Sequence, residues 1–472
     1  MSETLTRAQL RLDPDRLLPA DPATREIARE LFEQVEHLPI VSPHGHVPVE
    51  WLAADEPFED PTRLLLSPDH YVTRLLHATG VDLADLGVGG VETDSRGAWR
   101  AFCSRWRSFA GTASGGWLEH VFAEVFGIRD EPSPETADAI YDHIASSLAT
   151  DGFRPRALFE RFGIDVLATT DDPLDDLEGH RTLAEDPSFQ GRVIPTFRPD
   201  RYLDPEAGGF PLAVSRLADS QGRPVDDFRG YLESLAARRA HFIARGAVSA
   251  DHGVADAYTT VLDDVDAAAL YRRAVRGTIT PREAREFRGH MLVEMARMSV
   301  DDGLVMTIHP GVLRNHSAPT HARFGADTGH DIPVAGEFTR SLRPLLERHG
   351  LAKDFHLVLF TVDETTYSRE IAPLAGFYPS VFIGAPWWFL DAPDAIARFR
   401  AAVTETAGFS RGSGFIDDTR AFLSIPARHD VARRVDAGFL ARYVAEGRIS
   451  RSRAREIITD LTDRQPREVF KL

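Results

Sequence analysis

The chain has a single cysteine, no apolar run long enough to cross a bilayer and no surplus of positive charge. Cys103 alone cannot form an intrachain disulfide, which fits a reducing compartment. A membrane-spanning helix needs about eighteen consecutive apolar residues, and residues 1–23, which alternate charged and apolar side chains, lack the apolar core of a signal peptide. A formal net charge of −18 excludes the broad basic footprint that nucleic acid requires. Any anionic substrate must then be gripped by local arginines rather than by the overall field. The expectation is a soluble, cytoplasmic protein without a nucleic-acid or membrane partner.

What is present is an ordinary globular composition, 43% hydrophobic and 27% charged, over 472 residues. That length exceeds one compact domain, yet α/β barrels with insertions reach it. Eight short β-branched runs recur, at 39–42, 165–169, 192–196, 247–250, 304–308, 356–361, 380–384 and 414–417. Each is followed by a polar turn and a helix-period segment, the pattern of parallel βαβ units. Eight such units predict an α/β fold, a closed (β/α)8 TIM-like barrel, with an open doubly wound sheet as the alternative.

Helix signals lie between the runs. Thr280-Pro281-Arg282-Glu283 is a capping box with proline at the first helical position and predicts a helix to about Ser299. Phe338, Leu342, Leu345 and Leu346 form a stripe ending near Gly350, and Val431, Val435, Phe439 and Tyr443 form another, followed by a helix begun by Ser450. The connection at 48–163 is too long for a barrel loop and concentrates Trp99, Phe102, Trp106, Phe109, Trp117, Phe122 and Phe126, so it reads as a helical insertion over one barrel end, with one helix starting at Ser133-Pro134-Glu135. The expected division is 1–47 for an N-terminal segment and first strand, 48–163 for the insertion, 164–434 for the rest of the barrel and 435–472 for C-terminal helices.

Active sites of such barrels lie at the C-terminal ends of the strands. The first run, Leu38-Pro39-Ile40-Val41-Ser42-Pro43-His44-Gly45-His46, ends in two histidines one residue apart, which point to the same side if the strand runs on through them and could then hold a divalent cation. The second delivers Asp171-Asp172, the third Arg198 and Asp200, the fourth Asp251-His252, the fifth His309 with Arg314 behind it, the seventh Trp387-Trp388 and the eighth Asp417-Asp418-Thr419-Arg420. Each has a bland counterpart. His309 could be a hydrogen-bonded core histidine, Asp171 and Asp172 before Pro173 could be turn residues, Trp387 and Trp388 could simply pack, and Arg198 is either a solvated charge or an anion fork.

Together with Asp69-His70-Tyr71 and Arg74 in the insertion, Thr169-Thr170-Asp171-Asp172-Pro173, Pro195-Thr196-Phe197-Arg198-Pro199-Asp200, Leu313-Arg314-Asn315, Asp327-Thr328-Gly329, Trp387-Trp388-Phe389 and Asp418-Thr419-Arg420-Ala421-Phe422-Leu423-Ser424, this order of segments resembles the uronate isomerases (glucuronate isomerases) of the amidohydrolase superfamily. The resemblance spans about residues 38 to 434. It implies a (β/α)8 barrel and reversible aldose–ketose isomerisation of hexuronates, such as D-glucuronate to D-fructuronate and D-galacturonate to D-tagaturonate. It also implies one divalent metal ion, commonly zinc, on His44, His46 and Asp418. Arg198 and Arg420 would hold the substrate carboxylate and nearby oxygens, His70 and Tyr71 would reach in from the insertion, and His309 and Trp388 would line the pocket. Arg314 and Asp172 are further substrate-binding candidates. Where relatives carry an aspartate just before the histidine pair this chain has Ser42-Pro43, so the support behind the first strand is expected to differ.

Isomerisation of an open-chain sugar acid needs a base at C2, stabilisation of a cis-enediolate and return of the proton to C1. Asp418 suits the base, and Arg198, Tyr71 and His70 suit the developing charge. A mononuclear metal-dependent hydrolase stays open as the rival reading. A binuclear one is disfavoured, because the fourth strand end carries no lysine and the sixth, Phe360-Thr361-Val362-Asp363, no histidine. A catalytically dead barrel would have lost a key polar group, and none is missing. Homo-oligomerisation is not legible, since outer helices and interface helices share one amphipathic pattern.

Overall fold

The computed structural model describes residues 9–472; residues 1–8, part of the N-terminal stretch considered above, lie outside the described residues. Strands β1 (Ile40–Ser42), β2 (Ile164–Ala168) and β3 (Arg192–Ile194) run parallel, with Val41 beside Val166 and Leu167 beside Val193. Past β3 the ladder continues through Phe197, whose N–H donates to the Ser249 carbonyl and whose carbonyl accepts from Asp251. That joins β4 (Ser249–Val254), which pairs in parallel with β5 (Val305–Pro310). A small hairpin, β6 (Val312–Leu313) and β7 (Ile332–Pro333), stands on the rim, and β8 (Leu357–Leu359) and β9 (Val381–Ile383) complete the parallel run. The circuit closes through Gly412, bridged to Ile383, and through the His46 N–H, which donates to the Thr419 carbonyl. The result is the (β/α)8 barrel.

Two expectations about the strands are corrected. The fourth strand runs to Val254, so Asp251 lies inside it rather than in the loop beyond Ala250. The eighth run, 414–417, is not a regular strand: Gly414 has φ +76, and a Cβ there would meet Pro466 at 2.5 Å, so the backbone passes this point in a conformation a ladder cannot use.

Alternation along the strands separates two cores. Val41, Val166, Ala168 and Ile194 on one side, with Val305, Val358, Phe360, Phe382 and Ile416 on the other, fill the barrel, and Val248 and Leu472 pack against both groups. Ala250, Met306, Ile308, Leu357 and Leu359 face outward onto the helices. The helix Pro281–Asp302 begins with the capping box at Thr280 and Glu283. Of the stripe ending near Gly350 only Leu345 and Leu346 lie in the helix, Arg343–His349; Leu342 is its N-cap and Phe338 precedes it, so that expectation is corrected, while Ser450 caps Arg451–Thr459. One helix, Ile425–Ala445, runs without a break through residue 434.

The insertion folds as short helices around Trp99, Phe102, Trp106, Phe109, Phe122 and Phe126. Trp117 instead stands against Tyr71 and Arg428. Ser133 makes a turn, accepting from the N–H groups of Glu135 and Thr136, and its helix starts later, at Ala137. The insertion's contribution to the barrel mouth is the helix His70–Ala78, whose N-cap Asp69 accepts from the Tyr71 N–H.

Candidate active site

The strand ends and the insertion enclose a cavity of about 470 Å³. His44, His46, His70, Tyr71, Arg198, His309, Arg314, Trp388, Asp418 and Arg420 all line it. Asp172 does not: it accepts from the Tyr202 hydroxyl at 2.7 Å and the Leu174 N–H at 3.0 Å, the turn role weighed for it above.

At the floor, Asp418 Oδ1 is 3.0 Å from His46 Nε2 and 3.4 Å from His44 Nε2. One ligand atom from each of these three residues falls within 4.8 Å of the others. Asp418 takes φ +41, a left-handed conformation that aspartate tolerates better than most residues and that turns its carboxylate back over the histidine pair. Its Oδ2 is buried with no hydrogen-bond partner, as are His309 Nε2 and His44 Nδ1. Buried polar atoms without partners are costly, and two imidazoles with a carboxylate are a divalent-cation donor set. These residues fit a metal. Behind the first strand the Ser42 hydroxyl is also unpartnered, so His44 Nδ1 has no supporting carboxylate.

The neighbouring strands add a tight web. His309 Nδ1 faces Asp251 Oδ1 at 2.6 Å, Thr307 donates to the same oxygen at 2.5 Å, and Arg198 Nη1 lies 3.2 Å from Asp251 Oδ2. Arg198 Nε donates to Asp200 at 2.8 Å, and Asp200 in turn accepts from the Gly253 N–H. A Cβ on Gly253 would lie 2.4 Å from Arg198 Nη2, so only glycine leaves room for the guanidinium. Burial would raise the Asp251 carboxyl, but His309, Arg198 and His44 hold it well below the usual range. Burial likewise opposes ionisation of Asp418, and His44 and His46 overcome it. His44 and His309 with Asp251 form a second grouping that shares His44 with the first.

Insertion and rim close the site. Burial, reinforced by Arg420, pushes the His70 imidazole down to about 3, and neither of its nitrogens has a protein partner. It is a neutral ring packed against Tyr71 and Trp388. The Tyr71 hydroxyl is committed: it donates to Asp391 at 2.9 Å and accepts from the Phe389 N–H at 3.1 Å, and Asp391 is paired with Arg428 at 2.8 Å. Arg428 also lies 3.6 Å from the Trp117 ring centroid. Trp387 and Trp388 act as walls, Trp387 edge-on to His309 at 4.7 Å. At the outer edge Arg314 pairs with Asp331 at 3.0 Å and lies over Trp388, while Arg420 and Arg314 each lie 3.6 Å from Asp327.

Known proteins match this arrangement along nearly its whole length. A family model described as glucuronate isomerase matches residues 22–470. The chain belongs to the glucuronate isomerase family. Within that family, the uronate isomerase of Corynebacterium efficiens is 57% identical over 461 residues, 97% of this chain and 98% of that protein. The crystal structure of glucuronate isomerase from Caulobacter crescentus superposes with a TM-score of 0.96 at 50% identity, covering 98% of this chain and 97% of that one. That of the uronate isomerase from Thermotoga maritima gives 0.92 at 27% identity, covering 98% and 99%.

Sequence reading passed over Asp391 and Arg428. Arg428-His429 falls on the buried side of a long helix, and charged residues on an apolar stripe were the available signal. Asp251 lies inside the fourth strand, two residues before Gly253 and so on the same face, which a strand ending at Ala250 does not convey.

Proposed function

We propose that this protein interconverts hexuronates and their ketose isomers, D-glucuronate with D-fructuronate and D-galacturonate with D-tagaturonate, in the cytoplasm. The observation that carries the reading is the pairing, in one cavity, of a His-His-Asp cation site with a rim of arginines suited to a carboxylate. Zinc is the cation we assign to His44, His46 and Asp418, and when bound it supplies Lewis acidity at a substrate oxygen.

The protein's own groups supply the rest. Asp418, ionised and with Oδ2 free, takes the proton from C2 of the open-chain aldose, and the C–H electrons become the C1–C2 double bond as O1 gains a proton. Loss of the O2 proton and return of a proton to C1 give the ketose, so no oxidant or reductant is consumed. Arg198, fixed by Asp200 and Asp251, faces the charge that develops on the enediolate oxygens. His70, neutral and unpartnered, offers a hydrogen bond to a substrate hydroxyl, and His309, oriented by Asp251, stands beside Asp418. Arg314 and Arg420 take the carboxylate. Tyr71 serves by seating the helix His70–Ala78, because its hydroxyl is already spent on Asp391.

NMR of metal-loaded protein with D-glucuronate in deuterated water tests this. The expected result is ketose formation, absent in a His44→Ala control, with deuterium at C1 to the extent that the base exchanges with solvent. No ketose from either uronate, with metal bound, overturns the reading. An Asp418→Asn variant that retains metal and nearly full turnover overturns the base assignment.

A further inference from the structure

Asp327 lies on the segment 325–331, between the short helix Ala318–Phe324 and β7, and lines the cavity. Its backbone is left-handed at φ +60, and Gly325 and Gly329 on either side of it also have positive φ, so the segment is held in a shape that presents the carboxylate inward. Oδ1 is 3.6 Å from Arg314 Nη1 and Oδ2 is 3.6 Å from Arg420 Nη2. One carboxylate thus spans two guanidiniums, with one oxygen towards each and neither within hydrogen-bond range.

The contrast with Asp331 shows that this contact is not structural in the ordinary way. Asp331 is 3% exposed, pairs with Arg314 at 3.0 Å and accepts from the Asn315 N–H at 2.6 Å. Asp327 is 52% exposed and makes neither kind of close contact. Arg314 therefore keeps its position without Asp327, through Asp331 and the Trp388 ring. Arg420 has no other carboxylate within 4.0 Å among the described residues. Its donors are free for whatever anion comes closer.

We propose that Asp327 is a built-in stand-in for the substrate's carboxylate, bridging Arg314 and Arg420 in the free enzyme and giving way when an anionic sugar arrives. It then sets the affinity of the site: it keeps the arginines from capturing small anions indiscriminately, and it weakens the uronate by its own charge. The inference rests on the uronate reading above.

The test is calorimetric titration of metal-loaded parent, Asp327→Asn and Asp327→Gly with D-glucuronate, beside steady-state kinetics. Asparagine keeps the shape and tolerates the left-handed backbone, and glycine removes the side chain without backbone strain. Both variants are expected to bind glucuronate about twofold to fivefold more tightly, the size of one partly exposed charge contact, with a steeper salt dependence and a lowered KM. Structural damage does not produce tighter binding. Equal or weaker binding in both variants overturns the proposal, because Asp327 then supports the substrate instead of replacing it. Absence of binding to parent and variants alike also overturns it. A parent that binds glucuronate but isomerises neither uronate fails the functional reading, while the comparison of affinities still decides the role of Asp327.

Discussion

The inner and outer halves of the cavity use the same residue types in opposite ways. Behind the inner wall, Asp251 is fully buried, and its neighbours His309, Thr307 and Arg198, the first and last of which line the cavity, all lie within 3.2 Å. Outside, Asp327 is half exposed and stands 3.6 Å from each of two arginines. A buried charge web is rigid, because moving any member strands another charge away from water. A half-solvated pair costs little to open. The inner half therefore suits chemistry that needs fixed groups, and the outer half suits an anion that must enter and leave.

The sharpest way to break this comparison is Asp251→Asn. The amide removes the charge that faces both Arg198 and His309 and leaves the guanidinium short of a partner in a buried place. Loss of one member of such a pair costs about 3 kcal/mol or more of stability, and the loosened hold on Arg198 and His309 should lower turnover about 100-fold, the size of a misplacement of about 1 Å. We expect kcat to fall by that order with KM little changed, measured with metal content determined on the same sample. A drop confined to KM would show that the inner web is a binding device after all.

Arg420→Gln tests the outer half and should act on the other parameter. Losing a charge-assisted contact to a carboxylate costs about 1.5–3 kcal/mol, so KM for the uronate should rise about tenfold to a hundredfold, with a smaller change in kcat and a weaker salt dependence. Equal losses in kcat and KM would erase the distinction between the halves.

The inner half was the more legible in the sequence, and the reason is physical. His44, His46, His309 and Asp418 sit next to β-branched runs whose period places them at strand ends, so local pattern was enough to gather them. The eighth segment was the exception: a strand was expected at 414–417, but Gly414 and the left-handed Asp418 bend the backbone away from a regular ladder. Asp391 could not be found locally, because it meets the Tyr71 hydroxyl across a separation of 320 residues. Asp172 shows the reverse failure. Beside Asp171 and before Pro173 it satisfies a site pattern and a turn pattern equally, and the bonds it accepts from the Leu174 N–H and the Tyr202 hydroxyl reveal which applies.

Asp171 supplies the smallest effect and the control for the comparison, being an acid with a mostly buried side chain next to the site but outside the cavity. Burial pushes its carboxyl up to about 7, against hydrogen bonds from Thr169 and the Thr196 N–H. The folded chain then keeps this proton up to about pH 7, whereas the unfolded chain loses it near the ordinary value of 3.8. Stability from this group is full at low pH and is lost between those limits, by about 1.4 kcal/mol per pH unit. His180, 3.9 Å away and pushed down to about 4 by burial, has the opposite sign, since its folded form binds fewer protons than the unfolded chain between about 4 and 6.5. The two slopes oppose each other in the parent protein. Asp171→Asn removes one of them, so its stability relative to the parent should grow as pH rises from about 4 to about 7, by a few kcal/mol at most, when both are unfolded in denaturant across that range. Because this strand end meets the His44–His46 loop through the Thr170 hydroxyl on the Gly45 carbonyl, while the Asp171 side chain bonds Thr169 and the Thr196 N–H, kcat should change less than twofold. A large loss of turnover instead would extend the rigid inner half one strand further than the cavity itself.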